Sequence, residues 1–237
     1  MIKLLVVLAG LALSGSMPAL AANKTVKSPA SAAPRAHGTA HHRTVRKAEV
    51  ARSEAATRVI DWITTTGDNR SLPYVIIDKN AAHAFLFDAK GKYLANAPVL
   101  IGIAVGDEAT PGVGKKSLAE IGPAEKTTPA GRFLAKFGFA AGNHKVLWVD
   151  YATSVALHPI PTTNPKEHRL QRMLSPTIAD NRITFGCINV PLTFYNKSVR
   201  PLFLKKGGYV YVLPDTKSLE EVFPPLRVQP FQKADAS

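Results

Sequence analysis

Apolar positions along the chain change their period, and the changes mark out its elements. In residues 48–66, Ala51, Ala55, Val59, Trp62 and Ile63 recur at helical spacing ahead of Gly67, which predicts an amphipathic helix within an N-terminal segment 48–70. From Leu72 the pattern shortens to strand-like runs at 74–77, 84–87 and 98–106, then a strand reaching Phe139, then 146–151 and 154–159. Short β-rich runs separated by Asp, Asn, Lys and Gly describe a meandering sheet, closed by 209–213 after Gly207-Gly208. The fold expected is mostly β (α+β): a β-sandwich over residues 71–214, with one capping helix at 191–204 that Pro191 opens in its first turn. Residues 215–237, with Pro224-Pro225 and Pro230, read as an extended C-terminal tail.

Two connections interrupt this pattern. Residues 107–126 are polar and Gly-rich, the character of a binding lip or flap. Gly112-Val113-Gly114-Lys115-Lys116-Ser117 is not a phosphate loop, because Ala109 stands at the earlier glycine position and Lys116, not Ser or Thr, follows Lys115. Residues 160–182 form an insertion with Pro161, Pro165 and Pro176 and a short helix at 166–174, where Arg169, Arg172 and the nearby Arg182 suit carboxylate recognition.

The N-terminus adds a setting. Lys3 followed by the apolar run 4–13 and the small residues Ala19-Leu20-Ala21 reads as a secretory signal over 1–21. That run falls short of the ~20 residues a bilayer span needs, so no stable membrane span is expected. Residues 22–47 carry six basic side chains and no acidic one, the mark of a flexible basic linker; His37, His41 and His42 there lack the Cys or carboxylate that would complete a metal set. The whole chain carries +13, and loss of residues 1–21, whose one charge is Lys3, leaves +13 − 1 = +12. With export, that charge favours an anionic envelope surface over nucleic acid.

Against this background stands one cysteine, Cys187. It has no partner for an internal disulfide, so in an exported protein it is either buried or used. A thiol needs a base or cation to become the reactive thiolate, and a histidine supplies that. His158 ends an apolar run where a sheet presents side chains, and Gly186 allows a close approach to the backbone. The amides of Gly186 and Cys187 are expected to face a developing oxyanion. Cysteine, glycine and histidine in this arrangement fit acyl transfer through a thioester.

Two blocks carry a family likeness. Thr127-Thr128-Pro129-Ala130-Gly131-Arg132-Phe133 and Thr184-Phe185-Gly186-Cys187-Ile188-Asn189 resemble, in order, the threonine-proline turn and the nucleophile motif of the L,D-transpeptidase (YkuD) family, over residues 72–213. The resemblance implies an exported enzyme acting on peptidoglycan stem peptides without metal or cofactor. Cys187 would be its nucleophile, His158 its base with the Pro159 carbonyl orienting the ring, and Arg182, Asn189, Thr184 and Tyr151 its candidate substrate contacts. Water as acceptor would make it an L,D-carboxypeptidase. The sequence departs from the motif at Phe185, where the family carries histidine, and at Asn189, where arginine is common; Arg182 is expected to replace that charge. These departures also admit a catalytically silent peptidoglycan-binding module. His158 lies 29 residues before Cys187, further than is usual, and His168 lies 19 before it, so His168 competes as base; a strand end holds a base more rigidly than an Arg-rich insertion does.

Overall fold

A computed structural model describes residues 50–228; the expected signal peptide, the basic linker and residues 229–237 lie outside them. The helix at the start of this region, α1 (Glu54–Thr66), is capped at both ends. Ser53 Oγ accepts the Ala56 N–H, and Gly67 takes the left-handed conformation that ends the helix. Its apolar stripe, Ala56, Val59, Ile60, Trp62 and Ile63, is buried.

Ten strands follow: β1 (Tyr74–Asp78), β2 (His83–Phe87), β3 (Tyr93–Pro98), β4 (Ile101–Gly102), β5 (Gly131–Phe139), β6 (Lys145–Asp150), β7 (Val155–Pro159), β8 (Arg182–Thr184), β9 (Ile188–Val190) and β10 (Gly208–Val212). Eight form one sheet in the order β3-β2-β1-β10-β5-β6-β7-β9, while β4 and β8 pair separately. Only β1–β10 and β7–β9 are parallel within the large sheet. The fold is therefore mostly β with short helices.

The sheet curls until its edges nearly meet. Leu100, just beyond β3, exchanges two backbone hydrogen bonds with Asn189 of β9 (3.0 and 2.9 Å), bringing the two edges of the sheet together. One face lines an inner core of Val75, Leu86, Leu147, Leu157, Ile188 and Val210. The segment after β9 covers it: α3 (Leu192–Phe194), a π-helical turn (Tyr195–Val199) and α4 (Arg200–Phe203). This is the expected capping helix, and Pro201, which has no N–H for a bond back to Lys197, accounts for the widened turn before it. On the opposite face α1 packs over Tyr74, Phe85 and Tyr211, with Trp62 edge-on to Tyr211 at 6.0 Å.

Two expectations are corrected. The strand read at 98–106 is broken: Leu100 bonds Asn189, Ile103 N–H bonds Thr184 O, and Ala104 N–H bonds Lys126 O, so three segments share its backbone, and beyond Pro98 at the end of β3 only Ile101–Gly102 is a strand. Over its described residues, 215–228, the tail is not extended. It forms α5 (Leu219–Val222), capped by Ser218, and a 3-10 turn at Pro224–Arg227, burying Leu219, Phe223 and Leu226 against α1 and the outer face of the sheet. An i, i+4, i+7 apolar spacing signalled this and was masked by the flanking prolines.

A buried charge cluster ties these parts together. Lys79, after β1, has no exposed surface, and its Nζ donates to Asp107 Oδ1 (2.9 Å), Gly106 O (2.6 Å) and Thr128 O (3.0 Å), with Asp215 Oδ2 at 3.2 Å. Asp107 also accepts the N–H groups of Asp215, Thr216 and Lys217, while Asp215 accepts Arg182 Nη2 at 2.7 Å. Burial alone would raise the Asp107 pKa, but the Asp215 and Lys217 N–H groups, the Lys79 ammonium and the Thr216 N–H together hold it far below the usual carboxylate range. Among the described residues no helix is long and apolar enough to cross a membrane.

Candidate active site

Strand alternation places the reactive side chains. In the parallel β7–β9 pair Leu157 lies opposite Ile188, and both are buried in the inner core, so Ala156, His158, Cys187 and Asn189 project to the other face. His158 is registered with Asn189, and Cys187 precedes β9, which makes Cys187 and His158 diagonal neighbours on one face.

The turn bearing Cys187 is fixed by threonines. Thr184 Oγ1 accepts the Gly186 N–H (3.2 Å) and donates to Cys187 O (2.6 Å). Gly186 has φ +120°, and a Cβ there would stand 2.6 Å from Thr127 O, so no other residue fits. The room that glycine leaves is thus taken by the Thr127 carbonyl. Thr128 Oγ1 donates to Gly186 O and accepts the Gly102 N–H, both at 2.8 Å. Two blocks more than 50 residues apart in the chain therefore meet at the Cys187 turn.

Cys187 Sγ lies 3.7 Å from Ser154 O, and the Ala156 N–H also faces it. Burial pushes the thiol pKa up, outweighing the Ala156 N–H and the Arg169 charge that lower it. His158 Nδ1 is 2.8 Å from Pro159 O, and its Nε2 is 3.2 Å from Asn189 Nδ2. Arg169 Nη1 donates to Asn189 Oδ1 at 2.7 Å, and because Arg is a donor only, the Asn189 amide must turn its NH2 toward His158. Nε2 then accepts, and the ring proton sits on Nδ1 facing the Pro159 carbonyl. Burial lowers the imidazole pKa, the Pro159 carbonyl opposes this, and the Arg169 charge adds to the lowering. Both shifts favour the neutral forms of the thiol and the imidazole.

The His158 shift has a sign for stability. A histidine held neutral contributes fully above its unfolded pKa of about 6.5 and loses that contribution as pH falls toward its lower folded value. Guanidinium unfolding at pH 7.5 and pH 5 should therefore show a larger loss of stability on acidification in the wild type than in His158→Gln; equal losses would contradict a buried neutral ring.

The remaining sequence-selected residues separate by environment. Thr184 and Asn189 are buried and bonded internally, as above. Arg182 is committed to Asp215 and to the carbonyls of Gly102 and Ala104 (both 3.4 Å), where it staples β4 to β8. Tyr151 is 76% exposed, with its ring against Trp148. His168 is exposed at the start of α2 (Arg169–Met173) and lines an 890 Å³ groove with Lys166, Gln171 and Arg172. Phe185, at the position of the family histidine, carries the Lys126 ammonium 3.8 Å from its ring centre. Sequence reasoning missed Lys126, for which there was no signal, and the role of Arg169, whose signal was the unusual length of the insertion. Among the described residues no group of His, Cys, Asp and Glu is assembled to hold a metal ion.

No family model and no curated protein sequence matches the chain. Solved structures do. The L,D-transpeptidase (residues 123–326) of Xylanimonas cellulosilytica aligns with 60% of this chain and 60% of its own at 15% identity and a TM-score of 0.35. The catalytic domain from the E. faecium L,D-transpeptidase aligns with 59% of this chain and 95% of its own, at 18% identity and 0.32. The helical cell shape determining protein Pgp2 of Campylobacter jejuni aligns with 74% and 62%, at 12% identity and 0.40. The chain thus spans about 60% of the length of the Xylanimonas structure.

Proposed function

We propose that the protein is an exported L,D-transpeptidase that works on peptidoglycan stem peptides through a Cys187 thioester. One observation carries the reading: the threonine block at 127–128 and the Gly186-Cys187 turn are hydrogen-bonded together, beside a histidine presented on the same face by the neighbouring strand. His158 Nε2 takes the S–H proton as the sulfur attacks the carbonyl carbon before the terminal D-alanine. The tetrahedral adduct collapses, the C–N bond breaks, and the leaving amine receives the proton from Nε2. An acceptor amine, or water in an L,D-carboxypeptidase, then attacks the thioester; it gives its proton to Nε2, and the thiol is restored. Thr184, Asn189 and Gly186 shape this site, and exposed Tyr151 borders the turn at 151–154 that reaches Cys187 through Ser154 O. The charged start and apolar run of the leader support the envelope setting.

A silent peptidoglycan-binding module is the second reading, and the observation favouring it is that Asn189 Nδ2 already fills the Nε2 lone pair. Intact-mass measurement after incubation with a carbapenem separates the two. The enzyme should gain the mass of one opened β-lactam, mapped to the peptide containing Cys187. A chain that stays unmodified while binding peptidoglycan would overturn the enzymatic reading.

A further inference from the structure

We propose that Arg169 is a positioning residue for the base: delivered by the long insertion between β7 and β8, it fixes the Asn189 amide with its NH2 toward His158 and so keeps the ring neutral. The inference rests on the proposed role of His158. An asparagine amide is nearly symmetric in shape and presents NH2 or C=O to a neighbour with equal ease. Facing Nε2, the two ends have opposite effects. The acceptor-only Pro159 carbonyl, 2.8 Å from Nδ1, holds the ring proton there; NH2 then meets the Nε2 lone pair, whereas C=O would set an acceptor at each ring nitrogen and favour imidazolium. What breaks the symmetry is the donor-only guanidinium at 2.7 Å from Oδ1.

Arg169 is itself held. Its side chain is 11% exposed, and Glu167 Oε2 accepts its Nε at 2.5 Å, so the fork has one orientation available. The charged and titratable groups around the ring are Arg169 from α2, Glu167 beside it, and the Cys187 thiol on the same face; Arg169 is the one whose charge acts on His158. It therefore disfavours imidazolium in two ways, through the amide that it orients and through its own charge. The spacing from His158 to Cys187 is long because it includes the segment that supplies this residue.

The test needs no substrate. In the full chain labelled with 15N histidine, wild-type His158 should give the signature of a neutral ring protonated at Nδ1. Arg169→Met should keep the proton on Nδ1, where the Pro159 carbonyl holds it, and move the His158 titration midpoint upward, and Arg169→Lys should restore the midpoint in part. Asn189→Asp, which sets an acceptor at Nε2 while leaving Arg169, should also raise the midpoint and serves if the Arg169 variants fold poorly. A folded Arg169→Met whose His158 midpoint matches the wild type would overturn the inference. Because the readout is spectroscopic, it is independent of the acyl-transfer reading. An Arg169-dependent midpoint in a protein that forms no carbapenem adduct keeps the relay and removes the enzyme; adduct formation with an Arg169-independent midpoint removes the relay alone.

Discussion

Cys187→Ser is expected to abolish the carbapenem adduct and to lower D-alanine release from a stem tetrapeptide by on the order of 10⁴-fold or more, the scale seen when a covalent nucleophile is removed. The change replaces one atom, so the fold should hold. The chemistry does not transfer, because a serine hydroxyl is a far weaker acid than a thiol, and the base available is an imidazole whose pKa burial has lowered further. The sulfur's surroundings, Ser154 O and the Ala156 N–H, offer no second base to compensate. Substantial D-alanine release by the serine protein, with an unfolding midpoint equal to that of the wild type, would show that Cys187 is not the nucleophile.

Lys79→Met should cost about 3–5 kcal/mol of stability, the penalty for leaving a buried charge cluster without its partner. The methionine fills similar volume, so the loss is electrostatic. Asp107 and Asp215 would face each other's charge with Arg182 as their remaining cation, and the Gly106 and Thr128 carbonyls would lose their shared donor. The damage reaches the site because Thr128 holds both Gly186 O and the Gly102 N–H. Guanidinium unfolding at pH 7 measures the loss, and an unchanged midpoint would mean that the cluster contributes nothing net. Acid acts on the same cluster: the contribution of Asp107 is present above the ordinary carboxylate pKa of about 3.9 and is lost as pH falls toward its depressed folded value.

Much of the fold was legible because the period of apolar residues is a local property. The α1 stripe, the strands at 74–78, 83–87, 145–150 and 155–159, and the capping segment after Pro191 each follow from neighbours in the chain. Residues 99–104 were misread because they look like one strand, whereas their partners, Asn189, Thr184 and Lys126, lie far away in sequence. At the site, the lone Cys187 beside Gly186 and the histidine ending an apolar run could be singled out from composition and motif. The roles of Arg182 and Asn189 could not. An arginine near a cysteine suggests a ligand contact until Asp215, from a segment taken for a loose tail, is seen to occupy it. Asn189 likewise depends on a guanidinium twenty residues earlier, and nothing in a linear chain specifies that meeting.

The joint between the sheet's two edges has a dynamic consequence. Neighbouring strands of the eight-stranded sheet share ladders of three to five registered pairs, but its edges meet through two hydrogen bonds between Leu100 and Asn189, with the short β4–β8 pair and Arg182 beside them. At about 1 kcal/mol net for each bond, those two contribute about 2 kcal/mol, far less than unfolding requires. Amide protons there should exchange with solvent through local opening, well ahead of those in β1 and β10. The residue that steadies the imidazole also closes this seam, so local opening there would loosen the neighbour of His158 while the inner core stays shut.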